Sequence, residues 1–174
     1  MSMAYNAGMP FHVVLFEPEI PPNTGNIIRL CANTGAELHL VEPLGFDWDD
    51  KRLRRAGLDY HALAHVTLHA DLQSCLSLIR TTQKDPKLYA FSTKGRKTHA
   101  SVAFTAGDIL LFGPETRGLP EHVLSAVDTE QVLRIPMHPE SRSLNLANAV
   151  AIAIYEGWRQ LEFAGAGRLL PQRT

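Results

Sequence analysis

Two short segments hold most of the side chains able to do chemistry. Leu110-Leu111-Phe112-Gly113-Pro114-Glu115-Thr116-Arg117-Gly118-Leu119-Pro120 runs from an apolar strand into a turn too rich in Gly and Pro to continue a sheet, and it carries a carboxylate and a guanidinium. Arg134-Ile135-Pro136-Met137 leads into a loop, His138 to Leu144, and then a helical pattern from Asn145 to Gln160. Ser141, Arg142, Ser143 and Asn145 stand just before that helix. Capping by Ser143 or Asn145 would explain one of them but not the cluster. Each loop follows the carboxyl end of a buried strand and precedes a helix, where backbone N–H groups are free to meet a ligand. The pattern points to a two-loop cleft for a polar ligand, against the alternative of tight surface turns. Neither G-x-G-x-x-G nor G-x-x-x-x-G-K-[ST] occurs, and Pro114 removes an amide that a phosphate would use, so a phosphate is not the favoured ligand.

The other candidates are weaker. Lys51-Arg52-Leu53-Arg54-Arg55 is the densest basic run, flanked by Asp47, Asp49, Asp50 and Asp59, and reads either as a solvated helix face or as an RNA phosphate contact. His61, His65 and His69 are four apart, but the Val66-Thr67-Leu68 alternation favours a strand, no neighbouring carboxylate completes a site, and no metal is expected. Cys31 falls on an apolar helix face and reads as core. No nucleophile elbow is present.

The elements that must position these residues form an alternating series. Phe11 to Phe16 reads as a buried first strand, followed by a loop stiffened by Pro18, Pro21 and Pro22. Asn23 or Thr24 can cap a helix through Ile27, Ile28, Leu30 and Cys31 that Gly35 ends, with Arg29 on its polar side. Further strands are expected at Leu38–Val41, Ala64–Leu68, Lys87–Phe91, Asp108–Phe112 and Gln131–Ile135. Asp71 is placed to cap a helix through Leu72, Cys75, Leu76 and Ile79, and Pro120 to begin a short one. Strands separated by helices predict an α/β fold with a mainly parallel sheet and helices on both faces. The last helix has Ala147, Ala149, Ala151 and Ala153 among Val150, Ile152 and Ile154, apolar nearly all round, which suits the core or a homodimer interface.

With 174 residues, 45% hydrophobic and 20% charged, the chain has enough for one core, expected over residues 11–163 between a flexible leader, 1–10, and a loose tail, 164–174. The formal charge is -1 and the pI about 6.7, so any nucleic-acid binding must use a local patch or a surface shared by two subunits. Two buried-type cysteines suit a reducing compartment. Without a basic start, an apolar leader or a run near the ~20 residues of a membrane span, a cytoplasmic protein with no membrane association is expected.

Three segments together resemble the SPOUT superfamily of RNA ribose methyltransferases: Glu17-Pro18-Glu19-Ile20-Pro21-Pro22-Asn23-Thr24-Gly25-Asn26-Ile27-Ile28-Arg29, the Phe112–Pro120 turn, and Ile135-Pro136-Met137 through Ser141-Arg142-Ser143-Leu144-Asn145 to Tyr155-Glu156. Trp48 to Tyr60 resembles the group that methylates the tRNA wobble position, cytidine or uridine 34. The resemblance implies S-adenosylmethionine as methyl donor, a C-terminal trefoil knot, a homodimer, and transfer to the wobble ribose 2′-OH in the tRNA anticodon arm, with leucine isoacceptors the expected substrates. It implies donor contacts from Phe91, Gly113 and Ile135 around the adenine, completed by Gly118, Met137, Ser143 and Leu144.

By the same resemblance Arg29 acts on the hydroxyl. A guanidinium stays protonated, so Arg29 is expected to bind the adjacent phosphate or stabilise the developing alkoxide, with the proton leaving to water or another group. Asn23 or Asn26 holds its loop. Glu115 either orients Arg29 or its partner across the dimer, or is a structural cap. Tyr155 serves either activity or interface packing. Lys51, Arg52, Arg54 and Arg55 would contact the RNA. The competing readings are a SPOUT methylase of another RNA site, a donor-binding RNA-binding protein without catalysis, and a nucleotide-binding α/β enzyme without the knot.

Overall fold

The computed structural model describes residues 11–49, 63 and 65–167. Seven strands form one sheet: β1 (Phe11–Phe16), β2 (Glu37–Val41), β3 (Val66–His69), β4 (Leu88–Phe91), β5 (Lys97–Thr98), β6 (Asp108–Phe112) and β7 (Val132–Arg134), in the order β3-β2-β1-β6-β4-β7-β5. Every pairing is parallel. Among the described residues, helices run over α1 (Pro21–Thr34), α2 (Leu72–Thr82), α3 (Glu121–Leu124) and α4 (Leu146–Gln160).

All of β1 and β6 is buried, as expected of strands covered on both faces. Alternate residues therefore enter two cores. Phe11, Val13 and Leu15 meet Ile27, Ile28 and Cys31 of α1 and Val150, Ala153 and Ile154 of α4; Val14 and Phe16 join Cys75 and Ile79 of α2 and Val123 and Leu124 of α3. Gly157 lets α4 close onto β1, since a Cβ there would stand 2.5 Å from the Phe11 ring.

The expected fold class is what is observed, with local corrections. The first helix begins at Pro21 rather than after an Asn23 or Thr24 cap, and Ile20 at its N-cap offers no side-chain bond. The prolines occupy the first two helical positions, where the missing N–H groups would have had no intrahelical acceptor. At the other end Gly35 has φ 75°, the left-handed residue that stops the helix. The third strand is shifted to Val66–His69 and the last shortened to Val132–Arg134, after a 3-10 turn at Thr129–Gln131. A two-residue edge strand, β5, has no counterpart in the sequence reading. Asp71 caps α2 by accepting from Ser74 N at 2.7 Å.

Candidate functional site

Strands β6, β4 and β7 are neighbours, and the loops leaving their carboxyl ends enclose a cleft of about 490 Å3. That volume is within the ~300–1,000 Å3 usual for small-molecule sites. Phe91 and Phe112 end adjacent strands and stack, ring centroids 4.6 Å apart, as an apolar floor. Each wall is a loop whose backbone has been brought close. A Cβ at Gly113 would lie 2.3 Å from Leu119 N, so only glycine lets the turn fold back on itself, and Gly118 closes it at φ +66° with its N–H donating to Pro114 O at 2.9 Å. On the β4 side, Ser92 N donates to Leu133 O at 2.9 Å, holding the start of the loop after β4 against β7.

All seven residues expected around a donor, Phe91, Gly113, Gly118, Ile135, Met137, Ser143 and Leu144, line this one cleft. Glu115, Thr116, Arg117 and Arg142 line it as well. Arg29, Asn26 and Tyr155 do not: Arg29 and Asn26 are exposed on α1, and Tyr155 is 47% exposed on α4, its ring edge-on to Trp158. The basic residues Lys51, Arg52, Arg54 and Arg55 lie outside the described residues.

A polar network beside the cleft joins three loops. Glu115 accepts from Glu19 N at 2.8 Å, Ile20 N at 3.2 Å and Asn23 Nδ2 at 3.1 Å, supplying from the β6 loop the acceptor that the start of α1 lacks. Of the two asparagines proposed to hold that loop, Asn23 is the buried, bonded one: its Oδ1 accepts from Asn145 Nδ2 at 2.9 Å. Asn145 in turn caps α4, accepting from Ala147 N at 2.9 Å. Sequence reasoning missed Glu19, which accepts from Thr116 N and Oγ1. Arg117 pairs with Glu17 and stands 3.9 Å from Glu19. The Thr116 bonds hold the Glu19 carboxyl below its usual range.

The histidines assemble elsewhere and differently from the expected spacing. His12, His39 and His69, from adjacent strands, form a buried ladder: His12 Nδ1 lies 3.0 Å from His39 Nε2, and His39 Nδ1 lies 2.9 Å from His69 Nε2. His65 instead meets the carboxylate of Glu37 at 3.0 Å, a partner across the sheet that the local sequence did not reveal. Burial lowers the pKa of His12 and His69, and that of His39, further depressed by the two flanking rings, falls to about 3. Donor atoms of His39, His69 and Cys75 lie within 4.8 Å of one another, yet both His39 ring nitrogens are engaged, and burial pushes the Cys75 thiol up to about 12. Neutral imidazoles bonding to each other account for the cluster.

Residues 10–155 match the SpoU rRNA Methylase family. A tRNA (cytidine(34)-2'-O)-methyltransferase from Yersinia pestis is 59% identical over 156 residues, 89% of this chain and 96% of that protein. A solved structure described as giving structural insights into the 2-OH methylation of C/U34 on tRNA superposes with a TM-score of 0.76 at 45% identity, covering 87% of this chain and 91% of that one. The SpoU methyltransferase AviRb from Streptomyces viridochromogenes, in complex with the cofactor AdoMet, superposes with a TM-score of 0.76 at 25% identity, over 90% of this chain and 62% of that one.

Proposed function

The chain belongs to the SpoU rRNA Methylase family and is an S-adenosylmethionine-dependent methyltransferase, and we propose that its acceptor is the ribose 2′-OH of the wobble nucleotide, cytidine or uridine 34, of tRNA. The observation that carries this reading is the gathering of seven donor-type residues from three loops into one cleft, in a chain 59% identical to an enzyme named for that reaction. The cleft suits a sulfonium nucleoside. It has an apolar floor at Phe91 and Phe112, hydroxyl and backbone groups on its walls, and a proline where a phosphate would want an amide. Phe91, Gly113 and Ile135 would hold the adenine, with Gly118, Met137, Ser143 and Leu144 closing around the rest.

When bound, the cofactor supplies a methyl group already activated on a sulfonium sulfur. What remains for this chain is to align the acceptor oxygen and help it shed its proton. Arg29, a permanent cation, binds the adjoining phosphate or stabilises the developing alkoxide while the proton leaves to water or another group. Since Arg29, Asn26 and Tyr155 lie outside the cleft of their own chain, the functional unit is a homodimer in which α1 and α4 of one protomer complete the cleft of the other. Support comes from α4, which buries Val150, Ala153 and Ile154 and leaves Ile152 and Tyr155 exposed on its other side. Lys51, Arg52, Arg54 and Arg55 hold the anticodon arm, and Tyr155 packs in the dimer beside the acceptor.

The SPOUT trefoil knot would be tied by the chain between β6 and α4, in keeping with the close backbone approaches at Gly113 and at Gly95, whose Cβ would stand 2.5 Å from Leu133 C. The enzyme works in the cytoplasm; no described helix is long and apolar enough to cross a membrane. Incubating the protein with tRNA and labelled S-adenosylmethionine tests the reading, and donor binding without transfer to any RNA would favour the binding-only alternative.

A further inference from the structure

Two carboxylates cross between the loops after β1 and β6. Glu115, on the β6 loop, fastens the start of α1. Glu19, on the β1 loop, returns the contact: it accepts from Thr116 N at 3.0 Å and from Thr116 Oγ1 at 2.8 and 3.0 Å. Glu19 does not line the cleft, but Thr116 does, in the middle of the turn that walls it.

The ends of that turn are set by its own backbone, at Gly113 and through the Gly118 N to Pro114 O bond. The N–H and hydroxyl of Thr116 both donate to Glu19, 97 residues away. Glu19 is in turn braced from behind. Gly45 N donates to Pro18 O at 2.9 Å, and Gly45 passes so close that a Cβ there would stand 2.8 Å from Glu19 Cα. Its bonds with Thr116 favour the ionised carboxylate, the stronger acceptor.

We propose that Glu19 is a positioning residue for the methyl donor, its carboxylate holding the Gly113–Gly118 turn in the shape that receives S-adenosylmethionine. The inference rests on the donor reading of the cleft. It assigns Glu19 to donor affinity rather than to the transfer step, because the carboxylate acts through Thr116 and touches neither reactant.

The test is calorimetric binding of S-adenosylmethionine to the full chain as wild type, Glu19→Ala, Glu19→Gln, Thr116→Val and the Glu19→Ala/Thr116→Val double variant, with melting curves for each. Glu19→Ala should weaken donor binding about tenfold, the effect expected for charge-assisted bonds, and raise the donor KM while kcat at saturating donor stays within about twofold. Glu19→Gln, which keeps an acceptor for Thr116, should recover most of the affinity. The double variant should lose less than the sum of the single losses, because both remove the bonds between the Thr116 hydroxyl and the Glu19 carboxylate. Donor binding by Glu19→Ala within twofold of wild type would overturn the inference, as would a loss that Gln does not rescue or that adds fully to Thr116→Val. If Glu19→Ala does not fold, Thr116→Val alone decides: unchanged donor binding overturns the inference and weakened binding supports it. A folded wild type that binds no donor at all would instead refute the donor reading on which the inference stands.

Discussion

Asn23 shows how much one side chain can hold. It is 6% exposed, donates to Glu115 and accepts from Asn145, so it links the β6 loop to the first turns of α1 and α4. Replacing it with alanine removes both bonds from a buried position, at about 0.5–1.5 kcal/mol each, and urea denaturation of Asn23→Ala should show a loss of about 1–3 kcal/mol. Asn26, exposed one turn further along α1, should cost within about 0.5 kcal/mol as alanine, so any fall in transfer rate there would belong to chemistry or RNA contact. At Arg29 the prediction concerns rate. Arg29→Lys keeps the charge and loses the planar fork, so kcat should drop at least tenfold with donor affinity unchanged; near-full turnover would remove any specific guanidinium role. Residue by residue, the sequence brought out positions that stand in a local motif, such as Gly113, Gly118 and Ser143, and all three line the cleft. Glu19 was hidden because its contact, Thr116, is 97 residues away and no periodicity reports it.

Elements were legible where burial dictates the pattern. The unbroken apolar runs of β1 and β6 announced strands covered on both faces, and Asp71 and Gly35 announced helix ends. The start of α1 was misread because an N-terminus is usually recognised by its own capping side chain, whereas here the acceptor is Glu115 from another loop. The two residues of β5 are too few for a period. The same limitation concealed the histidine ladder, which register rather than spacing assembles across β1, β2 and β3. Its consequence is an acid-sensitive sheet. His39 titrates near 3 when folded against an ordinary 6.5, so the unfolded chain takes up the proton first. The stabilisation is complete above about pH 6.5 and is lost as the pH falls toward 3, by about 1.4 kcal/mol per pH unit for one such histidine. Urea midpoints should therefore fall between pH 7.5 and 5.5, and an unchanged stability over that interval would contradict a neutral ladder.

For the whole molecule, the central feature is that Arg29 is not among the residues lining the cleft proposed for the donor. A single chain assembles the cleft from three loops but leaves Arg29 and Tyr155 outside it. The apolar last helix was legible in the sequence, but that Arg29 stands outside the cleft was not, because it depends on how α1 sits against loops far away in the chain. If two copies share the site, a charged residue on the exposed side of α4, as in Ile152→Glu, should convert the protein to monomers on sedimentation and abolish transfer while the melting temperature of the protomer changes little. A fully active monomer would rule out the shared site. Charge reversal at Arg52 and Arg54 should weaken tRNA binding, flatten its salt dependence and spare donor affinity.

Methyl transfer to the wobble ribose is tested most directly with labelled S-adenosylmethionine, total tRNA lacking wobble methylation and purified leucine isoacceptors, the product mapped by nuclease digestion and mass spectrometry. Label on the ribose of nucleotide 34 is the predicted result. Label confined to another position, or none from a dimeric protein that binds the donor, would contradict it.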